Sequence, residues 1–245
     1  CCSLNKENTM FALTALTNLT NPTKEKTVNE SHNDLIDNPT PRCPVALVLD
    51  TSGSMSGQPI EQLNAGIQLF IDEVKRDDLA RWSVDLAVYT AGGSADRIQS
   101  FIGVEQIAGF SPLDASGGTP LGQATRMALD DLEARKKSYR DAGVPYYQPW
   151  LVLISDGAPD YGWQDAANRA SALSAQRKLV SLPIGVQGAD LDVLSQFSSK
   201  PAVVLDGLKF RELFQWLSAS MARVSASTSS DASVQLPSMD SWGSV

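Results

Sequence analysis

The sequence has little imidazole and little thiol. His32 is the only histidine among 245 residues, and the three cysteines, Cys1, Cys2 and Cys43, form no CxxC pair. A histidine-based catalytic triad, a thiolate zinc site and a disulfide framework are therefore unsupported, and this use of cysteine is typical of a reducing compartment. We accordingly expect a cytoplasmic protein; a lipid anchor on Cys1 is the alternative.

Long apolar runs, an excess of positive charge and two common catalytic motifs are also absent. No apolar stretch approaches the roughly 20 residues that a helix needs to cross a bilayer, so we expect no membrane span. The 20 Lys and Arg residues stand against 28 Asp and Glu residues, and the net charge of −8 argues against nucleic acid as a partner. Neither a GxxxxGK[ST] phosphate loop nor a GxSxG elbow occurs.

Composition divides the chain into three parts. Residues 1–42 are rich in Asn and Thr and close on the sequence Asn-Pro-Thr-Pro, which predicts a flexible extension. Residues 43–228 carry the apolar segments of one large domain, since 42% of the whole chain is hydrophobic. Residues 229–245 form a C-terminal tail that ends with Leu236, Pro237 and Trp242.

Within the central part, strand and helix patterns alternate. The patterns predict six strands, at 45–49, 84–89, 97–104, 150–154, 180–186 and 202–205. They predict helices at 60–74, from 119 through 137, and at 164–179, 191–197 and 210–224. On the last helix, we expect Phe214 and Trp216 to lie in the core.

Apolar strands that alternate with helices are typical of one architecture. They predict an α/β fold with a doubly wound, Rossmann-like and mostly parallel six-stranded sheet. The second and third predicted strands are separated by a short glycine-containing turn, so they predict a hairpin with one antiparallel strand.

Oxygen-bearing side chains follow two of the predicted strands. Asp50 ends the first strand and opens a loop that offers the hydroxyls of Ser52 and Ser54 at alternate positions. Asp156 follows the fourth strand, and Thr119 stands at a predicted helix start after two glycines. Because ligands in such sheets bind outside the carboxyl ends of the strands, these five side chains predict one site.

The chemistry of these five side chains indicates a hard cation. They supply two carboxylates and three hydroxyls and no nitrogen or sulfur, a set that suits Mg²⁺ or Mn²⁺. Taken singly, each piece is typical of a turn or a helix cap. Their shared placement at strand ends and at a helix start favours a metal site with a position left for water or for an acidic group of a partner.

The five residues resemble a known motif. Asp50, Ser52 and Ser54 with the distant Thr119 and Asp156 are similar to the metal-ion-dependent adhesion site of von Willebrand factor A domains, over about residues 43–228. Three further segments resemble the TerY-type, or YegL-like, branch of that family: 116–122, 147–151 and 210–218. Residues 1–42 have no counterpart in the family pattern.

The resemblance implies a function. It implies a cytoplasmic module without enzymatic activity that binds a divalent metal through those five residues and, through the metal, a Glu or Asp of a protein partner. For the TerY-type branch it implies a bacterial tellurite-resistance or stress-signalling complex with a Ser/Thr kinase and a PP2C-type phosphatase. We expect Met55, which directly follows the metal loop, to lie at the rim and shape the partner surface.

Two alternatives remain open at the level of sequence. The first is a Mg²⁺-dependent phosphatase or other hydrolase, because an aspartate after the first strand is similar to the nucleophile of aspartyl-phosphate phosphatases. Those enzymes carry a second aspartate two positions later as general acid, where this chain has Ser52. The second alternative is a structural scaffold in which the metal only stiffens the loops.

Overall fold

The computed structural model describes residues 35, 38, 40–157, 159–227, 229 and 233–244. Most of the predicted flexible extension, with His32, lies outside these residues. Of its described members, Leu35 and Arg42 are buried. Leu35 packs with Tyr139 and Val144 in a small cluster of its own.

The centre of the fold is one mixed sheet of seven strands in the order β3-β2-β1-β4-β5-β6-β7. Strands β1, β2, β4, β5 and β6 run parallel, whereas β3 pairs antiparallel with β2 and β7 antiparallel with β6. The bounds of the strands are β1 Cys43–Asp50, β2 Val84–Gly92, β3 Ser94–Gly103, β4 Trp150–Ser155, β5 Val180–Gly185, β6 Val203–Leu205 and β7 Gly243–Ser244.

Helices cover both faces of the sheet. Their bounds are α1 Gln58–Arg76, α2 Ala80–Ser83, α3 Leu121–Asp141, α4 Gln164–Ala175, α5 Leu191–Ser195 and α6 Phe210–Ser225. Helices α1 and α6 pack on one face with alternate β1 residues such as Val45 and Leu47, and α3, α4 and α5 pack on the other with Ala46 and Val48. Every residue of β1 is buried because both faces of the strand are covered, which explains its continuous apolar run.

The predicted doubly wound α/β sheet with one antiparallel hairpin is confirmed, and Phe214 and Trp216 lie in the core as predicted. The predicted count of six strands is wrong, because the tail adds a seventh. The predicted helix over 164–179 ends early, at Ala175. Arg177 has a φ of 55°, a left-handed conformation that cannot continue a right-handed helix.

The C-terminal tail packs back on the domain. Trp242 is fully buried, with its ring centroid 5.2 Å from that of Trp216 on α6. The Trp216 indole donates a hydrogen bond of 2.9 Å to the Pro237 carbonyl, and Arg223 donates one of 2.9 Å to the Gln235 carbonyl. These contacts hold the tail along α6 and deliver β7 to the edge of β6.

A second polar feature lies at the amino-terminal end of β2. The carboxylate of Asp85, fully buried, accepts hydrogen bonds from Arg42, Arg135 and Tyr139. The neighbouring thiol of Cys43 is also fully buried. Burial, with the charge of Asp85 as a second cause, raises the pKa of Cys43 well above its ordinary range.

None of the helices formed by the described residues is long and apolar enough to cross a bilayer.

Candidate metal centre

The switch in strand order at the centre of the sheet sets the position of the candidate site. The chain passes from β1 to β2 on one side and later to β4 on the other, so β1 and β4 are neighbours with loops that leave in opposite directions. In their register Leu49 pairs with Ile154, which places Asp50 and Ser155 next to each other at the carboxyl edge. Such a crevice is where open α/β sheets bind ligands.

Asp50 lies at the bottom of the site. Its side chain is fully buried, and both carboxylate oxygens accept hydrogen bonds. The Ser52 backbone N–H donates to Oδ1 at 2.9 Å, and the hydroxyl of the buried Ser155 donates to Oδ2. These bonds fix the orientation of the carboxylate, as a metal ligand requires.

The two serines of the loop connect the buried aspartate to the surface. Ser52 and Ser54 have their hydroxyl oxygens 3.0 Å apart, and Ser54 donates a hydrogen bond of 2.9 Å to Asp156 Oδ1. Ser52 is buried, Asp156 is half-buried and Ser54 is exposed. A series of hydrogen bonds therefore links Asp50 at the base of the site, through the backbone of Ser52 and the hydroxyls of Ser52 and Ser54, to Asp156 nearer solvent.

The loop that carries Thr119 packs directly against this series. Gly53 donates its backbone N–H to the Gly117 carbonyl at 3.0 Å, and Thr119 itself is 7% exposed. Gly117 has a φ of +70°, and a Cβ there would come within 2.4 Å of Gly93 Cα, so this position requires glycine. Hydrogen bonds link Asp50, Ser52, Ser54 and Asp156, and the loop that carries Thr119 is joined to the Ser52–Ser54 loop through Gly117.

Electrostatics of the site favour a bound cation. Burial raises the pKa of Asp156 above its ordinary value, the hydrogen bond from Ser54 lowers it, and the negative charge of Asp50 raises it, with a net upward direction. A cation among these oxygens would offset both the burial and the repulsion between the two carboxylates. In the described part of the chain, no three His, Cys, Asp or Glu side chains cluster to hold a metal.

The donor set fits a hard divalent ion. All five predicted ligands offer oxygen, three of them as neutral hydroxyls, and Mg²⁺ prefers oxygen ligands and retains water when few of its ligands are charged. Binding would replace the hydroxyl-to-oxygen hydrogen bonds of Ser52 and Ser54 with metal contacts.

Met55 differs from the prediction. Its side chain is fully buried in the core, so it does not lie at the rim. Residues Gly53–Met55 form a 3₁₀ turn in which Met55 donates its N–H to the Ser52 carbonyl at 3.0 Å. The turn directs the Met55 side chain into the core.

Two polar residues at the site were missed from the sequence. Ser155 is the last residue of β4, and its position beside the end of β1 is the signal that could have identified it. Asp160 lies in the loop after β4, where its N–H donates to the Thr119 carbonyl at 2.9 Å. No sequence pattern indicates that contact, because it depends on how two loops distant in sequence meet.

A mostly parallel sheet covered by helices, with an oxygen-lined loop at the carboxyl edge of its central strands, defines a Rossmann-like ligand-binding domain. The sequence matches the family model of the von Willebrand factor type A domain over residues 45–215. The chain therefore belongs to the von Willebrand factor type A domain family.

One curated relative is similar in sequence. The uncharacterized protein sll0103 of Synechocystis is 26% identical over 183 residues, which make up 71% of this chain and 41% of the relative. The chain thus spans about two fifths of that relative's length.

Solved structures share the fold. A von Willebrand factor type A protein from Catenulispora acidiphila has a TM-score of 0.53 at 13% identity, over 75% of this chain and 43% of that one. The pilus adhesin SpaC of Lactobacillus rhamnosus GG, in an open conformation, has a TM-score of 0.60 at 11% identity, over 75% of this chain and 30% of that one. Proximal thread matrix protein 1 of the mussel byssus, with a zinc-occupied adhesion-site motif, has a TM-score of 0.52 at 17% identity, over 74% of this chain and 48% of that one. At these identities the likeness concerns the fold alone.

Proposed function

We propose that the protein is a divalent-metal-dependent protein-interaction module. Its metal ligands are Asp50, Ser52, Ser54, Thr119 and Asp156. The observation that carries the proposal is the series of contacts from buried Asp50 through Ser52 and Ser54 to Asp156. Because hydroxyls supply three of the five donors, the ion keeps much of its positive charge for an aspartate or glutamate of a protein partner.

Magnesium is the proposed ion, with Mn²⁺ as a substitute of similar preference. Hard oxygen donors favour both ions over softer metals. The zinc in the adhesion-site motif of the mussel protein supports divalent-metal binding in this fold and makes Zn²⁺ a necessary comparison.

The proposed setting is a cytoplasmic tellurite-resistance or stress-signalling complex of bacteria, with a Ser/Thr kinase and a PP2C-type phosphatase as partners. Its support is the resemblance of three segments to TerY-type proteins. Two of them, at 147–151 and 210–218, contribute core residues such as Tyr147 and Phe210, so the resemblance there concerns packing of the domain.

The module is proposed to bind partners without catalysing a reaction. Ser52 occupies the position where aspartyl-phosphate enzymes carry their general acid, and its hydroxyl lies against Ser54. Release of phosphate from a generic aryl phosphate by the wild-type protein, lost in Asp50→Ala, would contradict this assignment.

Calorimetric titration of the full chain with Mg²⁺, Mn²⁺ and Zn²⁺ tests the metal site. We expect Mg²⁺ binding to be lost in Asp50→Ala and retained in Asp114→Asn, which removes an exposed carboxylate from a loop at the same sheet edge. Loss of binding in both variants would mean that general negative charge, and not the site, attracts the ion.

Affinity capture from an extract of the source organism tests the interaction. Wild type with Mg²⁺ is compared with wild type in EDTA and with Asp50→Ala, and bound proteins are identified by mass spectrometry. A kinase or phosphatase captured only in the first sample is the expected result. Metal-dependent melting without any metal-dependent partner would favour the scaffold alternative.

A further inference from the structure

Tyr161 projects fully into solvent beside the proposed metal site. Its relative exposure is 106%, whereas the other large exposed hydrophobic side chains among the described residues are between 43% and 49% exposed. It lies in the loop between β4 and α4, five positions after Asp156. A fully exposed aromatic side chain beside the proposed site is available for contact with a partner, and tyrosine is enriched at interfaces because it combines an apolar ring with a polar hydroxyl.

The loop is anchored on both sides of Tyr161. On one side, Asp160 donates its N–H to the Thr119 carbonyl at 2.9 Å. On the other, Trp163 packs so closely on α3 that a Cβ at Gly122 would lie 2.4 Å from Trp163 Cα, and its ring stacks on Phe197 at 5.8 Å. The backbone on both sides of Tyr161 is therefore anchored, which limits the conformational entropy that the loop loses when a partner binds.

Asp160 contributes an available negative charge to the same loop. Its carboxylate lies against Gly118, where a Cβ would be 3.0 Å from Oδ2. Within the described part of the chain, no hydrogen bond or ion pair engages that carboxylate. Tyr161 and Asp160 are adjacent in the chain and both exposed, so one loop offers an aromatic ring and an anion, a combination that suits an ammonium or guanidinium group.

Charge over the whole sheet edge favours the same kind of ligand. The loops after β1, β4, β5 and β6 and the loop before α3 contain one cation, Lys209, which pairs with Asp206 at 2.5 Å. Those loops contain five aspartates: Asp114, Asp156, Asp160, Asp190 and Asp206. A partner must bring a carboxylate to the metal through this negative field, so basic groups beside that carboxylate would favour its approach.

We propose that Tyr161 and Asp160 form a second contact of the docking surface. The partner is a protein segment in which one acidic residue, bound to the metal, is accompanied by a nearby Lys or Arg. That basic side chain lies over the Tyr161 ring and pairs with Asp160. The inference rests on the proposed function, since the acidic residue needs the metal.

Peptide selection on the full-length protein tests this surface. The probe is a phage library of linear peptides with one fixed glutamate and randomised flanks, selected in Mg²⁺ and counter-screened in EDTA. We expect the Mg²⁺-dependent peptides to be enriched in Lys and Arg near the glutamate. An enriched peptide is then synthesised and titrated against variants.

The expected variant effects follow from the size of each contact. Tyr161→Ala should weaken peptide binding about tenfold or more, as truncation of an aromatic hot spot does. Asp160→Asn should weaken it about two- to fivefold, because it removes one exposed ion pair. The matched controls Trp82→Ala and Asp78→Asn alter an exposed aromatic and an exposed carboxylate near α2 and should leave affinity unchanged.

Each outcome separates this inference from the proposed function. Metal-dependent peptides without basic enrichment, or with unchanged affinity for Tyr161→Ala, overturn the second contact and leave the metal-dependent module intact. Peptides that bind equally in EDTA and to Asp50→Ala overturn both. A library that yields no enriched sequence overturns both as well.

Discussion

The buried hydroxyl of Ser155 donates a hydrogen bond to Oδ2 of Asp50, across the boundary between β4 and β1. The bond joins two residues that are 105 positions apart in sequence and neighbours at the centre of the sheet. It satisfies the carboxylate oxygen that the Ser52 backbone does not reach. Ser155 is therefore a positioning residue for the proposed metal ligand.

Ser155→Ala should affect both stability and metal binding. The substitution leaves a buried carboxylate oxygen unsatisfied, which costs about 1–3 kcal/mol of unfolding free energy. Loss of a residue that hydrogen-bonds a metal ligand typically lowers metal affinity about ten- to a hundredfold, so we expect Mg²⁺ affinity to fall by that order. Urea unfolding and calorimetric titration measure the two effects, with the exposed Ser100→Ala as control. Unchanged Mg²⁺ affinity would remove Ser155 from the site.

Asp85→Asn should destabilise the protein strongly. Asp85 is fully buried and pairs with Arg42 at 3.3 Å and with Arg135 at 2.5 Å. Removal of its charge leaves buried guanidinium groups without their counter-ion, at a cost of about 3–5 kcal/mol. Asp141→Asn is the control, because the pair of Asp141 with Lys137 is exposed and contributes about 0–1 kcal/mol. Equal unfolding midpoints in urea for the two variants would contradict the prediction.

Stability should fall as the pH rises into the alkaline range. Burial raises the pKa of Cys43, Tyr89 and Tyr139 in the folded protein. Above about pH 8.5 to 10, where free thiols and phenols ordinarily titrate, the unfolded chain loses these protons and the folded chain keeps them. The stability that these protonated groups contribute is therefore fully present below that pH range and is lost progressively above it. Urea unfolding from pH 7 upwards measures the decline.

A variant of Cys43 shows how much of the alkaline fall in unfolding free energy comes from its thiol. Cys43→Ala removes the thiol and should make the fall of unfolding free energy less steep where thiols titrate. At neutral pH, where the thiol is protonated in both the folded and unfolded states, the unfolding free energy of the variant should depend on pH as that of wild type does. A wild-type protein whose stability is constant up to pH 10.5 would show that these groups titrate equally in the folded and unfolded chains.

Trp242→Ala tests the anchoring of the tail. Trp242 is fully buried beside Trp216, and truncation of such a side chain costs about 3–5 kcal/mol. We also expect faster proteolysis within residues 233–244, since Trp242 is the one fully buried residue among the described residues of the tail. The control is Tyr161→Ala, which removes a fully exposed aromatic side chain and should change stability by about 0.5 kcal/mol or less. Proteolysis at the wild-type rate would show that the tail is held by its hydrogen bonds.

The parts of the structure that could be predicted are those encoded by regular patterns. The apolar run of β1 and the helical spacing in α1 depend on burial that repeats along each element, and both were placed within a few residues. Asp50 and Asp156 could be brought to one site because parallel neighbouring strands end at the same edge.

Other parts depend on single contacts and could not be predicted. β7 has two residues, too few to carry any periodicity. It lies at the edge of β6 because the preceding residue, Trp242, is buried in the core. The inward turn of Met55 follows from one 3₁₀ turn, and the contact between Asp160 and Thr119 follows from the meeting of two loops. Tertiary packing decides each of these without leaving a sequence signature.

The two sides of the sheet differ in how their strands are kept from pairing with other molecules. β3 is polar and charged on its exposed side, where Arg97 pairs with Asp131 at 2.8 Å. The short apolar β6 is instead covered by β7. A chain shortened to end after α6 would present β6 as an uncovered apolar edge, a template for strand addition. Such a chain should self-associate at high concentration, so an expressed fragment of this domain will remain monodisperse only if it includes the last dozen residues.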